Sequence, residues 1–203
     1  MSPKQHRGEV TSDQLLDAAL RVFVESGEQG LTVNAVVRAS GVSLGSLYHH
    51  FGSLDGLVGA LCHRWLGRLL GELAVALGAS GSAQAGIASV VRAYLAFVQA
   101  HPGPALLLHS PLADRKGMAQ GKEVRDTQEA RISELEGWLL PHVDSGELAP
   151  LPSPLIESLV LGPVVAVARR ALSGFDDVDL DEAARLLPEQ IWRSVRRQDL
   201  PAE

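Results

Sequence analysis

The chain has little of several things, and each shortage excludes something. Its 203 residues hold one cysteine, Cys62. That excludes an internal disulfide framework and a cysteine-based zinc site. Aromatic residues make up 4% of the chain, which disfavours a strand-rich fold built on aromatic cross-strand pairs. Positive charge is also short: 18 Lys and Arg stand against 24 Asp and Glu, a formal net charge of −6. A chain coated in basic charge, like a histone-like or ribosomal factor, is excluded, while a small local nucleic-acid site is not. No long uncharged apolar run is present. The richest stretch, Leu155 to Phe175, contains Glu157, Arg169 and Arg170, and its uncharged part from Ser158 to Ala168 falls short of the ~20 residues a bilayer needs. The first eight residues, Met1 to Gly8, are polar and have no apolar run, so no secretory signal is expected. A cytoplasmic protein is therefore expected.

What is there is helical. Hydrophobic residues make up 46%, enough for a core and too many for a disordered chain. Thr11-Ser12-Asp13-Gln14 has the form of a capping box opening the first helix, with Leu16, Ala19, Leu20 and Phe23 on one face. Gly27 and Gly30 are expected to end it. Thr32 then caps a short helix with Val33, Val36 and Val37 inward, and Gly41 stops that helix. Ser43 caps a third helix reaching about His50. A long helix is expected from about Leu54 to Leu77, then a Gly78–Ser82 linker and a helix from about Ala83 to Ala100. His101-Pro102-Gly103-Pro104 reads as a corner before a short apolar helix to about Leu112. A polar helix follows from about Ala119 to Leu140, ended or kinked by Pro141. Ser153-Pro154 starts the next helix, with Ser153 as its cap, and Gly174 closes it after Leu172. Asp179 opens the last helix, expected to run to about Arg197 with a kink at Pro188. No strand and no internal repeat are evident. The fold class is all-α.

The segment from Gly30 to Leu61 carries the functional information. Two short helices meet at the tight turn Ala39-Ser40-Gly41-Val42-Ser43. Gly41 can take the positive φ that such a turn requires, and Val42 is the apolar plug beneath it. Ser43 leaves a helix N-terminus open to a phosphate. The helix that follows offers Ser43, Gly45, Ser46 and His49 outward, with Leu47 and Phe51 toward the core. The polar tip of Tyr48 can reach a phosphate. This is the physics of a helix-turn-helix.

The same residues resemble the DNA-binding domain of the TetR family of bacterial transcriptional regulators. The likeness rests on Phe23, Gly27, Leu31-Thr32-Val33, Ala39-Ser40-Gly41-Val42-Ser43, Gly45-Ser46-Leu47-Tyr48-His49-His50-Phe51 and Leu57. It implies a three-helix head over residues 1–53 and a helical effector-binding and dimerisation domain over 54–203, with the helix from Leu54 as the lever between pocket and head. It implies DNA contacts from Thr32, Arg38, Ser43, Leu44, Gly45, Ser46, Tyr48, His49 and His50. It also implies a homodimer paired through Ser153–Ser173 and Asp179–Arg197, which places two recognition helices about 34 Å apart on a near-palindromic operator. A ligand-responsive repressor is the default. Beyond the head the resemblance is architectural, at His101, Gly146-Glu147-Leu148 and Arg169-Arg170-Ala171-Leu172.

Two departures bear on the mechanism. The family commonly has a basic residue where this chain has Leu44, and a lysine where it has Leu54. Basic residues in the first 65 are Lys4, Arg7, Arg21, Arg38 and Arg64; acidic ones are Glu9, Asp13, Asp17, Glu25, Glu28 and Asp55. With so little positive charge, phosphate contacts fall to Lys4, Arg7, Arg38, Tyr48 and helix-end amides, and the salt dependence of binding should be shallow.

Other chemistries fit less well. Gly41-Val42-Ser43-Leu44-Gly45 matches the nucleophile elbow of hydrolases, but that elbow needs a strand before the serine, and here the pattern is helical. His49 and His50 are adjacent on a helix and point apart, so neither shares a metal with the other or with His63. No cofactor and no metal are expected, and no enzymatic activity. Trp65, Leu69, Tyr94, Phe97, Leu107, Trp138 and Val164 come from several helices and could line a mainly aliphatic pocket for an apolar or amphipathic effector. The rival to a DNA-binding regulator is a helical small-molecule or protein-binding module with weakened DNA recognition.

Overall fold

In the computed structural model the described residues are 3–115, 133, 135, 137–175 and 177–197, with side chains described from residue 8 onward. Eight helices can be named among them: α1 Pro3–Gly30, α2 Val33–Ser40, α3 Leu44–Phe51, α4 Leu54–Gly78, α5 Ala83–Ala100, α6 Pro102–Leu108, α7 Ser153–Leu172 and α8 Leu180–Val195. Residues 111–115 and 137–144 are helical as well. The chain forms two compact units. One contains the described residues of Met1–Leu66 and Gly103–Gly121, the other those of Gly67–Pro102 and Lys122–Glu203, so the changeover falls within α4. Among the described residues no helix is long and apolar enough to cross a membrane.

The first unit packs α1, α2, α3, the start of α4 and α6 around one apolar core. Leu15, Ala18, Ala19, Val22 and Phe23 of α1 meet Val36, Leu47, Leu57, Leu61 and Leu107, all buried. The inward face of α1 is therefore broader than the expected stripe, and Leu20 is only partly buried. Helix α1 also starts earlier than the capping box suggested. Pro3 suits a first turn because its missing N–H would have no partner there, and Thr11-Ser12-Asp13-Gln14 lies inside the helix. Gly27 breaks the helical path at φ 65°, as expected of a glycine near this end.

The second unit packs α5, α7 and α8 against one another, with the later part of α4. Ile87, Val91, Leu95 and Phe97 of α5 are buried, as are Ile156, Val160, Val164 and Ala168 on one stripe of α7. Four boundaries differ from expectation. The His101–Pro104 corner is already helix from Pro102, since prolines in a first turn cost no hydrogen bond. Pro141 does not end its helix: helix continues to 144, and the proline carbonyl still accepts from Ser145 N at 2.9 Å. The rest of the helix expected from Ala119 lies largely outside the described residues. Ser153 is the first residue of α7 rather than its cap. Pro152 precedes it, and the Pro152 carbonyl accepts from Leu155 N and Ile156 N at 2.9 and 3.2 Å. The last helix stops at Val195 because Arg196 is extended and pairs antiparallel with Leu148.

That pairing belongs to a clamp. Ala149 N donates to Val195 O at 2.8 Å, and Arg197 N to Glu147 O at 3.1 Å. The Glu147 carboxylate accepts from Ala83 N at the start of α5 at 2.9 Å and lies 3.0 Å from His142 Nδ1. The Ala83 N–H above all, and then the His142 ring, hold the Glu147 carboxyl below the usual carboxylate range. A carboxyl lowered in the folded state stabilises above its unfolded pKa, and that contribution is lost as pH falls through the folded value. Glu147→Gln is thus expected to lower Tm at neutral pH, with the gap from wild type closing below about pH 4. Thermal melts of both proteins from pH 7 downward check this; a gap independent of pH would assign the loss to packing.

Candidate nucleic-acid interface and interior cavity

The turn between α2 and α3 is built from short-range bonds. Thr32 is extended and its hydroxyl accepts from Ala35 N at 3.2 Å, opening α2. Gly41 takes φ 69°, and its N–H donates to Val37 O at 3.0 Å, closing α2. A side chain at that φ would be strained, which is why glycine stands there. Val42 N donates to Ser40 Oγ at 3.1 Å, and the Val42 side chain packs on the core. Ser43 is extended, and its Oγ accepts from Ser46 N at 3.2 Å, opening α3. The serine is a helix cap between two helices, not a nucleophile on a strand-to-helix elbow.

Helix α3 is held by one fully buried side chain, Leu47, with Phe51 packed against the same core. Its other positions turn outward. Ser43, Gly45 and His49 are exposed, as are Leu44 at 47% and Tyr48 at 48%, while Ser46 and His50 are half-buried. Leu44 and Tyr48 are four residues apart and share a helix face. The His50 ring lies beside Gly8 of α1, and the rings of His49 and His50 do not point apart as expected but meet edge-on with centroids 5.4 Å apart. Thr32 and Arg38 are exposed on the neighbouring α2. The two departures separate here: Leu44 is a surface residue of α3, whereas Leu54 packs partly buried on the core.

The basic side chains are fewer than the count implies. Arg21 donates to Ala39 O at 3.3 Å, against the last turn of α2. Arg64 is paired with Asp13 at 3.4 Å and with Asp17. The side chains of Lys4 and Arg7 lie outside the described residues. Arg38 is left as the described arginine exposed on the helix-turn-helix itself. Among the described residues, this surface therefore offers few basic side chains that are not already engaged on the protein. Among the described residues no group of three or more His, Cys, Asp or Glu is placed to hold a metal ion.

The second unit holds a cavity of about 190 Å³. Leu70, Leu73 and Leu77 of α4 and Ile87 and Val90 of α5 form part of its wall. Ile156, Glu157, Val160 and Leu161 of α7 form another part, with Leu135, Trp138 and Leu139 completing it. Of the residues singled out from sequence, Trp138 lines this cavity. Leu69, Tyr94, Phe97 and Val164 are buried in the same unit without lining it, and Trp65 and Leu107 pack in the core of the first unit. Burial pushes the Tyr94 phenol up to about 12, offset in part by Arg169, so it stays protonated. The aliphatic wall residues escaped sequence reasoning because a leucine facing a cavity and one facing a core have the same helical spacing. Aromatics were a poor guide to the cavity.

Comparison with known proteins agrees with the geometry. Residues 15–61 match the family described as bacterial regulatory proteins, tetR family. Over 90 residues the chain is 31% identical to the HTH-type transcriptional regulator BetI of Rhizobium meliloti, covering 44% of each protein. The match thus spans less than half the length of that curated relative. Among solved structures, a TetR family transcription regulator from Marinobacter aquaeolei superposes with TM-score 0.76 at 19% identity, over 96% of this chain and 100% of the other. The transcriptional regulator FadR from Bacillus subtilis, in complex with stearoyl-CoA, gives TM-score 0.72 at 17% identity, over 88% of this chain and 96% of the other. At such identities the likeness is one of fold.

Proposed function

We propose that the chain, whose residues 15–61 match the tetR family of bacterial regulatory proteins, is a sequence-specific DNA-binding transcriptional regulator, acting as a ligand-responsive repressor. The observation that carries this is the capped turn from Thr32 to Phe51, which leaves one face of α3 exposed within the matched segment. Thr32, Arg38, Ser43, Leu44, Gly45, Ser46, Tyr48, His49 and His50 are the proposed DNA contacts. Helix-end amides and Tyr48 would meet phosphates, and the outward face of α3 would meet base edges. The protein would work in the cytoplasm, where its operator is.

The protein would be a homodimer. Helix α7 buries one stripe in the chain and leaves Leu155 and Pro163 outside, and α8 exposes Leu186. A second copy covering these faces would set the recognition helices about 34 Å apart on a near-palindromic operator. The cavity of the second unit would take a small-molecule effector. That FadR is solved with stearoyl-CoA supports an effector as a class. Effector binding would favour a conformation with the heads misplaced, and by no more than its preference for that conformation.

A mobility shift with the DNA flanking the protein's own gene, followed by unbiased binding-site selection, tests the reading. Sequence-selective binding supports it. Absence of binding in both favours a helical binding module with weakened DNA recognition, the alternative that engagement of Arg21 and Arg64 on the protein keeps open.

Tyr48→Ala is expected to weaken operator binding about tenfold or more, the scale of one hydrogen bond to a charged group. It should leave the melt unchanged, since the ring is half outside the protein. Equal affinity in a titration would remove Tyr48 from the interface. Leu44→Lys is expected to tighten binding and to steepen the dependence of log K on log salt by about one unit, the slope of one added phosphate contact. Titrations at two salt concentrations check this, and an unchanged slope would turn position 44 away from the phosphates.

A further inference from the structure

We propose that Leu44 reads the 5-methyl group of a thymine in the major groove, so that each operator half-site carries a thymine beneath the first turn of α3. This rests on the DNA-binding reading and adds which base the chain selects there and by what chemistry.

Leu44 is the first residue of α3 and is 47% exposed. It follows the cap Ser43 and shares a helix face with the exposed Tyr48. In a helix-turn-helix the N-terminal residues of the second helix contact base edges in the major groove. Docked in that way, α3 sets Leu44 over the floor of the groove. Around it Ser43, Ser46, Tyr48, His49 and His50 carry hydrogen-bonding side chains, and Leu44 carries none.

What a leucine gains there is limited. Guanine presents N7 and O6 in the major groove, adenine N7 and its amino group, and cytosine its amino group, while thymine adds a methyl to its O4. A leucine pressed on a polar edge strips water from it and returns no hydrogen bond. Against the methyl, two apolar surfaces leave water together. Thymine is therefore the base that position 44 favours. A lysine or arginine at the same place would favour guanine, whose N7 and O6 accept from it. Leucine in place of a basic residue thus changes which base is read, besides removing a charge.

Gly45 supports this independently. It is exposed and helical, and its φ is not positive. Among the described residues beyond its chain neighbours, a Cβ added there would meet nothing nearer than Ser43 Oγ at 4.0 Å. Alanine would fit and would hold a helix better than glycine does. The bare backbone instead leaves room for a close approach from outside. A leucine side chain is short, and it needs that approach to reach a methyl at the base edge.

The test starts from an operator obtained by binding-site selection with the full chain. Each thymine is then replaced in turn by deoxyuridine, which removes the methyl and keeps the pairing edge. At one thymine per half-site the replacement should weaken wild-type binding about three- to fivefold, the worth of one buried methyl-sized group. In Leu44→Ala the same replacement should lose most of its effect, the non-additivity of two groups in contact. At that position 5-methylcytosine should bind more tightly than cytosine in wild type and equally in the variant. In Leu44→Lys the flexible stem carries the ammonium past the base to a phosphate, so its tighter binding should come with loss of the methyl effect. Gly45→Ala should keep or raise Tm and weaken operator binding.

Deoxyuridine without effect at every thymine overturns the proposal and leaves the DNA-binding reading intact, and that observation needs no variant. A methyl effect undiminished in Leu44→Ala assigns the thymine to another residue and overturns it too. Full affinity in Gly45→Ala removes the close approach that the leucine needs, with the same consequence. Failure to select any DNA overturns the regulator reading and this proposal together.

Discussion

Leu47→Ala is expected to lower the stability of the head by about 2–5 kcal/mol, the usual range for truncating a fully buried leucine, and to abolish DNA binding with it. Leu47 is completely buried, and it is the one fully buried side chain of α3. Helix α3 has eight residues, too few to persist in water on its own. Its position therefore depends on that single anchor, helped by the half-buried Phe51 and by Ser43 at its start. Loss of the leucine leaves a cavity beneath the helix that presents the proposed base contacts. The two consequences can be measured separately. Hydrogen exchange over residues 31–61 should speed up strongly, and the mobility shift should vanish even where the second unit still melts normally. Slow exchange and full affinity in the variant would mean that α3 is held by something other than Leu47.

Gly86→Ala is expected to destabilise the second unit by about 1–3 kcal/mol, although the same change in an exposed helix interior would stabilise it by about 0.5–1 kcal/mol. The sign is decided by Trp138. The new methyl would lie 2.0 Å from Cζ2 and 2.7 Å from Cη2 of a rigid ring, far inside van der Waals contact. The ring is backed by His142 and cannot simply move off. Either α5 shifts away or the indole leaves the cavity wall, and binding to the cavity should fall in both cases. A second substitution tests this cause. In a Trp138→Leu background the obstacle is gone, so Gly86→Ala should become neutral or stabilising. That non-additivity is the signature of two residues in contact. Additive effects in chemical denaturation would mean that the glycine is required for another reason.

These two positions also mark how far the sequence could be read. Thr32, Gly41 and Ser43 were legible because each acts on residues no more than four away: a cap accepts from the third residue on, and a left-handed glycine closes the helix just before it. Leu47 was legible because the spacing of apolar residues around it has one inward side. The cavity was not legible. Its wall is made of aliphatic residues with the same helical period as a packed core, and nothing local separates the two. Gly86 looked like a tolerated helix glycine until Trp138, from a distant part of the chain, was found pressed on it.

The order of residues alone settles the all-helical class and the helix-turn-helix, down to its caps, because those depend on hydrogen bonds and periodicity within a turn or two of chain. It also determined the shortage of positive charge in the head. Which arginines that shortage leaves over is settled by packing. Arg21 is taken by the Ala39 carbonyl and Arg64 by Asp13 and Asp17. Packing also settles that Leu44 is surface while Leu54 packs on the core, that Glu147 ties to Ala83 across 64 residues of chain, and that the Trp138 ring lies against Gly86. Each of these depends on which distant residue arrives beside which, and that is set by the packing of whole helices.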